Sequence, residues 1–171
     1  VIVERDGVEL IATKEMILKE NDVLKTGPAG FAEVLFSDNN LVRLGHSTSI
    51  TLKELESASS DLQVDVKVNS GELWGNLSFV DDQAVYRFTG NQLNASVTNS
   101  AVFDISVTDA YTRLVSVDDN IDLLLSTDNK VIPTTLKEGH MGKVKKETPY
   151  LSYLNTLLFE DKIDEVDLDW F

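Results

Sequence analysis

Turn-forming residues punctuate most of this chain at intervals of about 8 to 12 residues, a spacing that admits short strands and little else. They are Asp6-Gly7, Asn21-Asp22, Gly27-Pro28, Asp38-Asn39-Asn40, Asn69-Ser70-Gly71, Asp81-Asp82, Gly90-Asn91, Asp118-Asp119-Asn120 and Asp128-Asn129. Between them hydrophobicity alternates with period two. Leu62-Gln63-Val64-Asp65-Val66-Lys67-Val68 places four apolar residues on one side of a strand and the polar residues on the other. Ala101-Val102-Phe103-Asp104-Ile105-Ser106-Val107 repeats the pattern, as do Val115-Ser116-Val117 and Ile121-Asp122-Leu123-Leu124-Leu125, which read as antiparallel neighbours. The continuous run Val34-Leu35-Phe36, its Asp38-Asn39-Asn40 turn and Leu41-Val42-Arg43-Leu44 read as a hairpin covered on both faces. The expected fold is all-β: about ten to fourteen short, mostly antiparallel strands, twisted into a sandwich or a solenoid-like stack.

The pattern changes at Thr148-Pro149, a helix-start pair followed by Tyr150, Leu151, Leu154, Leu157 and Leu158 at helical spacing. A β domain over 1–147 is therefore expected to be followed by a short C-terminal helix and an acidic tail over 148–171. The stretch 160–171 holds six acidic residues and one lysine. Its end alternates acids with Leu168, Trp170 and Phe171, as a last edge strand or a loose tail would. Asp167, Asp169, Trp170 and Phe171 are the candidate partner-binding residues, because acids interleaved with aromatics suit a strip that adds to a sheet edge or meets a basic partner.

Charge and composition exclude several function classes. In 171 residues, 29 acidic side chains against 15 basic ones give a net charge of -14, which repels a phosphate backbone, so nucleic acid is excluded as a partner. Basic partners are favoured instead. No run of 18 apolar residues occurs, and Val1-Ile2-Val3 gives way at once to Glu4-Arg5-Asp6, so neither a membrane span nor a signal peptide is expected within this sequence. The absence of cysteine removes disulfides, thiolate nucleophiles and thiolate metal sites together.

The segment Val23-Leu24-Lys25-Thr26-Gly27-Pro28-Ala29-Gly30-Phe31-Ala32-Glu33-Val34-Leu35-Phe36-Ser37-Asp38, followed by Asn39-Asn40-Leu41-Val42-Arg43-Leu44-Gly45-His46-Ser47-Thr48-Ser49-Ile50, resembles the FecR-like domain of bacterial extracytoplasmic proteins. Val66-Lys67-Val68-Asn69-Ser70-Gly71-Glu72-Leu73-Trp74 is similar to a further element of that family, and Val115-Ser116-Val117-Asp118-Asp119-Asn120-Ile121-Asp122-Leu123 to its hairpin. The likeness spans about residues 8–147. Asn99-Ser100-Ala101 stands where the family has Arg-Gly-Thr. The resemblance implies a non-catalytic sensory or scaffolding domain, placed in the periplasm or on the cell surface of a bacterium. Its partner would be a protein or another cell-envelope component, as in transmembrane signal transduction.

The residues themselves lead to no catalytic, cofactor or metal assignment. His46, in Gly45-His46-Ser47-Thr48, reads as a turn residue bonded to its own backbone rather than as a base. His140, flanked by Gly139 and Gly142, reads as an exposed loop residue without partners for a metal. The acidic turns lack the spacing of a calcium loop, and Gly27 to Gly30 lacks the ending of a phosphate loop. Trp74 reads as a sheet aromatic. Used as a sugar-stacking platform, it would support the alternative function of a carbohydrate-binding or adhesin-type module.

Overall fold

The computed structural model describes residues 1–58, 61–78, 84–91, 93–127 and 130–145, with the backbone alone at 56–58, 61, 126, 127 and 130. Fourteen strands occupy them: β1 (Ile2–Arg5), β2 (Val8–Ile11), β3 (Val23–Lys25), β4 (Ala32–Leu35), β5 (Leu41–Leu44), β6 (Ser49–Ala58), β7 (Asp61–Leu77), β8 (Val85–Thr89), β9 (Leu93–Val97), β10 (Ala101–Val107), β11 (Tyr111–Asp118), β12 (Ile121–Thr127), β13 (Lys130–Leu136) and β14 (His140–Lys145). The all-β expectation holds, and no helix occurs among the described residues. The helix expected after Thr148-Pro149, the acidic tail and the Asp81-Asp82 and Asp128-Asn129 turns lie outside them.

The strands form one branched sheet whose two arms share β7. One layer runs β13-β12-β9-β8-β7-β6-β3-β1-β2, and the other runs β4-β5-β7-β10-β11-β14. Up to Ser70, β7 pairs with β6 and β8; from Gly71 onward it pairs with β5 and β10. The arms face each other across one core, where Phe88 of the first layer meets Phe103 of the second with ring centroids 4.7 Å apart. Tyr86 receives Phe36 edge-on at 5.4 Å in the same way. The form is a sandwich, closed on one line by a strand common to both sheets.

Asn69-Ser70-Gly71 is therefore a kink inside a 17-residue strand and not a turn between strands. Gly71 has φ +88°, and a Cβ there would fall 2.5 Å from the Thr48 Cα, so this position requires glycine for both reasons. Thr48 pins the bend: its hydroxyl accepts from the Glu72 N–H at 2.9 Å, and its own N–H donates to the Thr26 hydroxyl at 2.8 Å. Because β7 itself carries the chain into the second layer, the return to the first layer makes β8 parallel to β7. The other pairings among the described strands are antiparallel.

Alternation holds in β10 and β12 but is inverted at Val115-Ser116-Val117, where Ser116, opposite the core residue Phe103, is the fully buried residue and Val115, opposite Asp104, stands on the outward side. In β10, Ala101, Phe103, Ile105 and Val107 are buried, while the residues between them point outward. The β1–β2 hairpin turns through Asp6 and Gly7, both at positive φ, as a two-residue loop between right-twisted strands demands. Two pairings differ from the expectation. The β4–β5 hairpin is covered on one face only: Val34 and Phe36 are buried, but Leu35 is 67% exposed, because among the described residues β4 pairs with β5 alone and no other strand packs over its outward side. The segments at Val115-Ser116-Val117 and Ile121–Leu125 are not neighbours, since the turn at Asp119 carries the chain from one layer to the other. β11 joins β10 and β14, whereas β12 joins β9 and β13.

Candidate functional site

On the outward side of the second layer, strand register lines up side chains that are distant in sequence. One row runs Glu33, Arg43, Trp74, Asp104 and Val115; the next holds Glu72, Ser106, Arg113 and Lys143. Arg43 donates from Nε to Glu33 at 2.7 Å, and its guanidinium carbon stands 4.9 Å from the centre of the Trp74 ring. Lys143 places its ammonium 3.8 Å from the ring centre of Tyr111. Cations over aromatic faces hold both kinds of side chain in defined positions. Leu35, 67% exposed, and Phe31, 57% exposed, extend the face past the β4 edge.

At its centre one guanidinium serves two carboxylates. Arg113 donates from Nη2 to Asp104 at 2.8 Å and to Glu72 at 3.2 Å. Flanked in its row by Trp74 and Val115, the Asp104 side chain is only 14% exposed. That burial, with the Glu72 charge next and Arg113 acting against both, pushes its carboxyl up to about 7. The cluster thus holds a variable charge near neutral pH, embedded among aromatic and aliphatic side chains. Arginine and aromatics of this kind are the residues that anchor protein contacts.

Asp104, Glu72 and Arg113 were not singled out in the sequence. Each read as an ordinary outward residue of an alternating strand, and only sheet register joins them.

The residues that were singled out fall elsewhere. His46 lies in an exposed turn, its ring 4.0 Å from that of Phe31. His140 opens β14 opposite Ser116, half-exposed, with Nδ1 2.8 Å from the Glu138 carbonyl, and so is a strand residue rather than a loop residue. Trp74 is half-buried in the sheet as expected, and Arg43 lies over its ring; a sugar stacking there would have to displace that contact. The Asp118-Asp119-Asn120 turn spends its polar groups locally: the Asp119 carbonyl accepts from the Ser116 hydroxyl, and Asn120 Oδ1 accepts from the Glu138 N–H at 3.1 Å. Among the described residues no group of three histidines or carboxylates is placed to hold a metal ion, and no helix is long and apolar enough to cross a membrane. Asp167, Asp169, Trp170 and Phe171 lie outside the described residues.

Two buried networks frame the sheets. Asp22, fully buried, accepts from Arg5 at 2.8 and 2.6 Å and from the Lys19 N–H at 2.8 Å, and the bonds from Arg5 hold its carboxyl below the usual carboxylate range. Tyr86 donates to Asp38 at 2.5 Å, and Asn40 donates to the same oxygen at 2.7 Å. Burial first, and Asp38 second, keep the Tyr86 hydroxyl protonated well above its ordinary range.

This two-layer arrangement has solved counterparts. Two crystal structures of a "putative anti-sigma factor" from Parabacteroides distasonis superpose on it, each with a TM-score of 0.64. Their sequence identities are 15% and 14%, and each match covers 86% of this chain. The chain spans 63% of the length of those proteins. At that identity the likeness is one of fold. No family model matches the chain, and no curated protein matches it in sequence.

Proposed function

We propose that this chain is a non-catalytic regulatory domain of the FecR-like, extracytoplasmic kind, which acts by binding a protein or cell-envelope partner in signal transduction across a bacterial membrane. The observation that carries this reading is the fold, shared over 86% of the chain with structures named as an anti-sigma factor. The motif order seen in the sequence supports the same assignment. The partner contacts the outward face of the second layer, centred on Arg43, Trp74 and Arg113. Asp167, Asp169, Trp170 and Phe171 are the second contact. A charged rim around aromatic anchors gives binding that weakens as salt rises.

The test is a pull-down from the envelope fraction of the producing cells, with the full chain as bait, beside Arg43→Glu/Trp74→Ala and a Lys67→Glu/Arg87→Glu control on the outward side of the other layer. One envelope protein, bound by wild type and control and lost with Arg43→Glu/Trp74→Ala, is the expected result. Recovery of the chain itself from the cytosol of those cells would defeat the extracytoplasmic placement. Enrichment of glycan in place of protein would defeat the regulatory reading in favour of the carbohydrate-binding or adhesin-type alternative.

A further inference from the structure

The Arg113 guanidinium stands where two acids compete for it. Strand register puts Arg113 and Glu72 in one outward row with Ser106 between them, and Asp104 lies two residues along β10 from that serine. The serine side chain is short, so the arginine reaches across β10 and meets both carboxylates. It does so with a single nitrogen: Nη2 stands 2.8 Å from Asp104 and 3.2 Å from Glu72. Its Nε, which is buried, has no acceptor among the described residues. An arginine committed to one carboxylate binds it with two parallel N–H bonds. One shared nitrogen beside an unspent buried donor therefore marks a position between two better ones.

We propose that Arg113 is a two-position switch on this face: its guanidinium forks onto Asp104 while that carboxyl is ionised, and onto Glu72 once Asp104 has taken up a proton. Unequal burial sets the order. The Glu72 side chain is 34% exposed and that of Asp104 only 14%, so water solvates Glu72 when the cation leaves it but does little for Asp104. Ionised Asp104 accordingly takes the cation. Protonated Asp104 no longer holds it by charge, and Glu72 becomes the sole anion of the three. The changeover falls at a pH of about 7, where burial first and the Glu72 charge second place the Asp104 carboxyl. The other charged groups around Asp104 are engaged elsewhere or lie farther off. Arg43, beyond Trp74 in the same row, is bonded to Glu33; Lys143, opposite Arg113 on β14, stands over the Tyr111 ring; Asp118 is one row away, opposite Val102.

Each position presents a different surface. With the fork on Asp104, the Glu72 carboxylate is left to solvent and the three groups together are anionic. With the fork on Glu72, the three are neutral together, and Asp104 offers a hydroxyl beside Trp74. On the function proposed above, a partner that grips Arg113 meets one surface below neutral pH and another above it. The switch itself belongs to the isolated chain and does not depend on who that partner is.

The test is an NMR titration of the full-length protein from pH 5 to pH 8.5 with no partner present. It is read at the Asp104 and Glu72 carboxyl carbons, the Arg113 Nε and the Trp74 indole nitrogen. In the wild type, the Asp104 carbon, the Arg113 Nε and the Trp74 indole should move together, with one midpoint at about 7. Asp104→Asn, uncharged at every pH, should hold Arg113 on Glu72 and flatten the Arg113 and Trp74 profiles. Glu72→Gln removes the competing charge, so Arg113 should stay on Asp104 and the Asp104 midpoint should fall by at least about one unit. His46 and His140 are present in all three proteins, so the imidazoles drop out of the comparison. An Asp104 carbon that titrates at about 7 while the Arg113 Nε stays fixed overturns the switch, as does a Glu72 carbon that titrates there in its place. An Asp104→Asn protein that keeps the wild-type Arg113 profile overturns it too. None of these results bears on the partner contact, which the pull-down tests separately.

Discussion

Replacing Asp104 by asparagine isolates the charge balance of the outward cluster with little change of shape. In the folded protein burial and Glu72 raise the Asp104 carboxyl from 3.8 to about 7, whereas in the unfolded chain it titrates as an ordinary aspartate. Between those values the folded state holds a proton that the unfolded state has released. Stability from this group is therefore fully present below about pH 4, is lost as pH rises towards 7, and changes no further beyond. Three units at about 1.4 kcal/mol each set a ceiling near 4 kcal/mol. Because the Arg113 guanidinium offsets the charge that ionisation creates, about 1 to 2 kcal/mol is the expected share. The substituted amide cannot ionise, so the Asp104→Asn variant lacks this component, while the remaining carboxylates act alike in both proteins. The assay is urea unfolding of both proteins from pH 5 to pH 8, read as the midpoint at constant m-value. The difference between them should move by about 1 to 2 kcal/mol in favour of asparagine across that interval. A difference that stays constant with pH refutes the assignment of the buried proton to Asp104.

Three further outcomes are expected. Asp22→Ala removes the acceptor of two Arg5 bonds and one backbone bond and should cost about 2 to 3 kcal/mol in urea unfolding at pH 7; since the folded carboxyl lies below its unfolded value, that cost should shrink as pH falls beneath about 4. Gly71→Ala places a methyl group against Thr48 at a positive φ, so a loss of about 3 kcal/mol or more is expected, and a thermal midpoint within a degree or two of wild type would contradict the kink described for β7. Tyr86 should resist ionisation in an alkaline absorbance titration up to the point of unfolding, and Tyr86→Phe, which strips Asp38 of a hydrogen bond, should destabilise by about 1 to 2 kcal/mol in thermal or urea melts.

The strands of this fold were largely legible because period-two alternation reports burial residue by residue, as Leu62–Val68 and Ala101–Val107 both show. Short-range turns were legible for the same local reason, and Asp6-Gly7 adopts the positive-φ loop its residue types favour. What local reading missed depends on distant partners. Asn69-Ser70-Gly71 has turn composition, yet pairing with β5, β6, β8 and β10 holds the chain extended through it. Val115 and Ile121 flank a turn as hairpin strands would, but each finds its partners in a different layer. Residues 72, 104 and 113 had no signature as a group, because what unites them is one guanidinium and the rows of a sheet. The resemblance traced through Thr26, Gly45 and Thr48 touched the hinge more than the face: the Thr26 hydroxyl donates to the Gly45 carbonyl at 2.6 Å and accepts from the Thr48 N–H.

The strand that belongs to both sheets also governs how the domain comes apart. Half of β7 is an interior strand of one layer and half an interior strand of the other, so neither layer can lose it and keep its own ladder intact. Unfolding should accordingly be a single cooperative event, with the two layers melting together and the β7 amides opening only in the global transition. Folding faces the mirror of that requirement, since closing the amino-terminal half of β7 onto β8 and its carboxy-terminal half onto β5 and β10 joins segments separated in sequence before either sheet is complete. A slow approach to a highly protected state is the kinetic character this topology imposes.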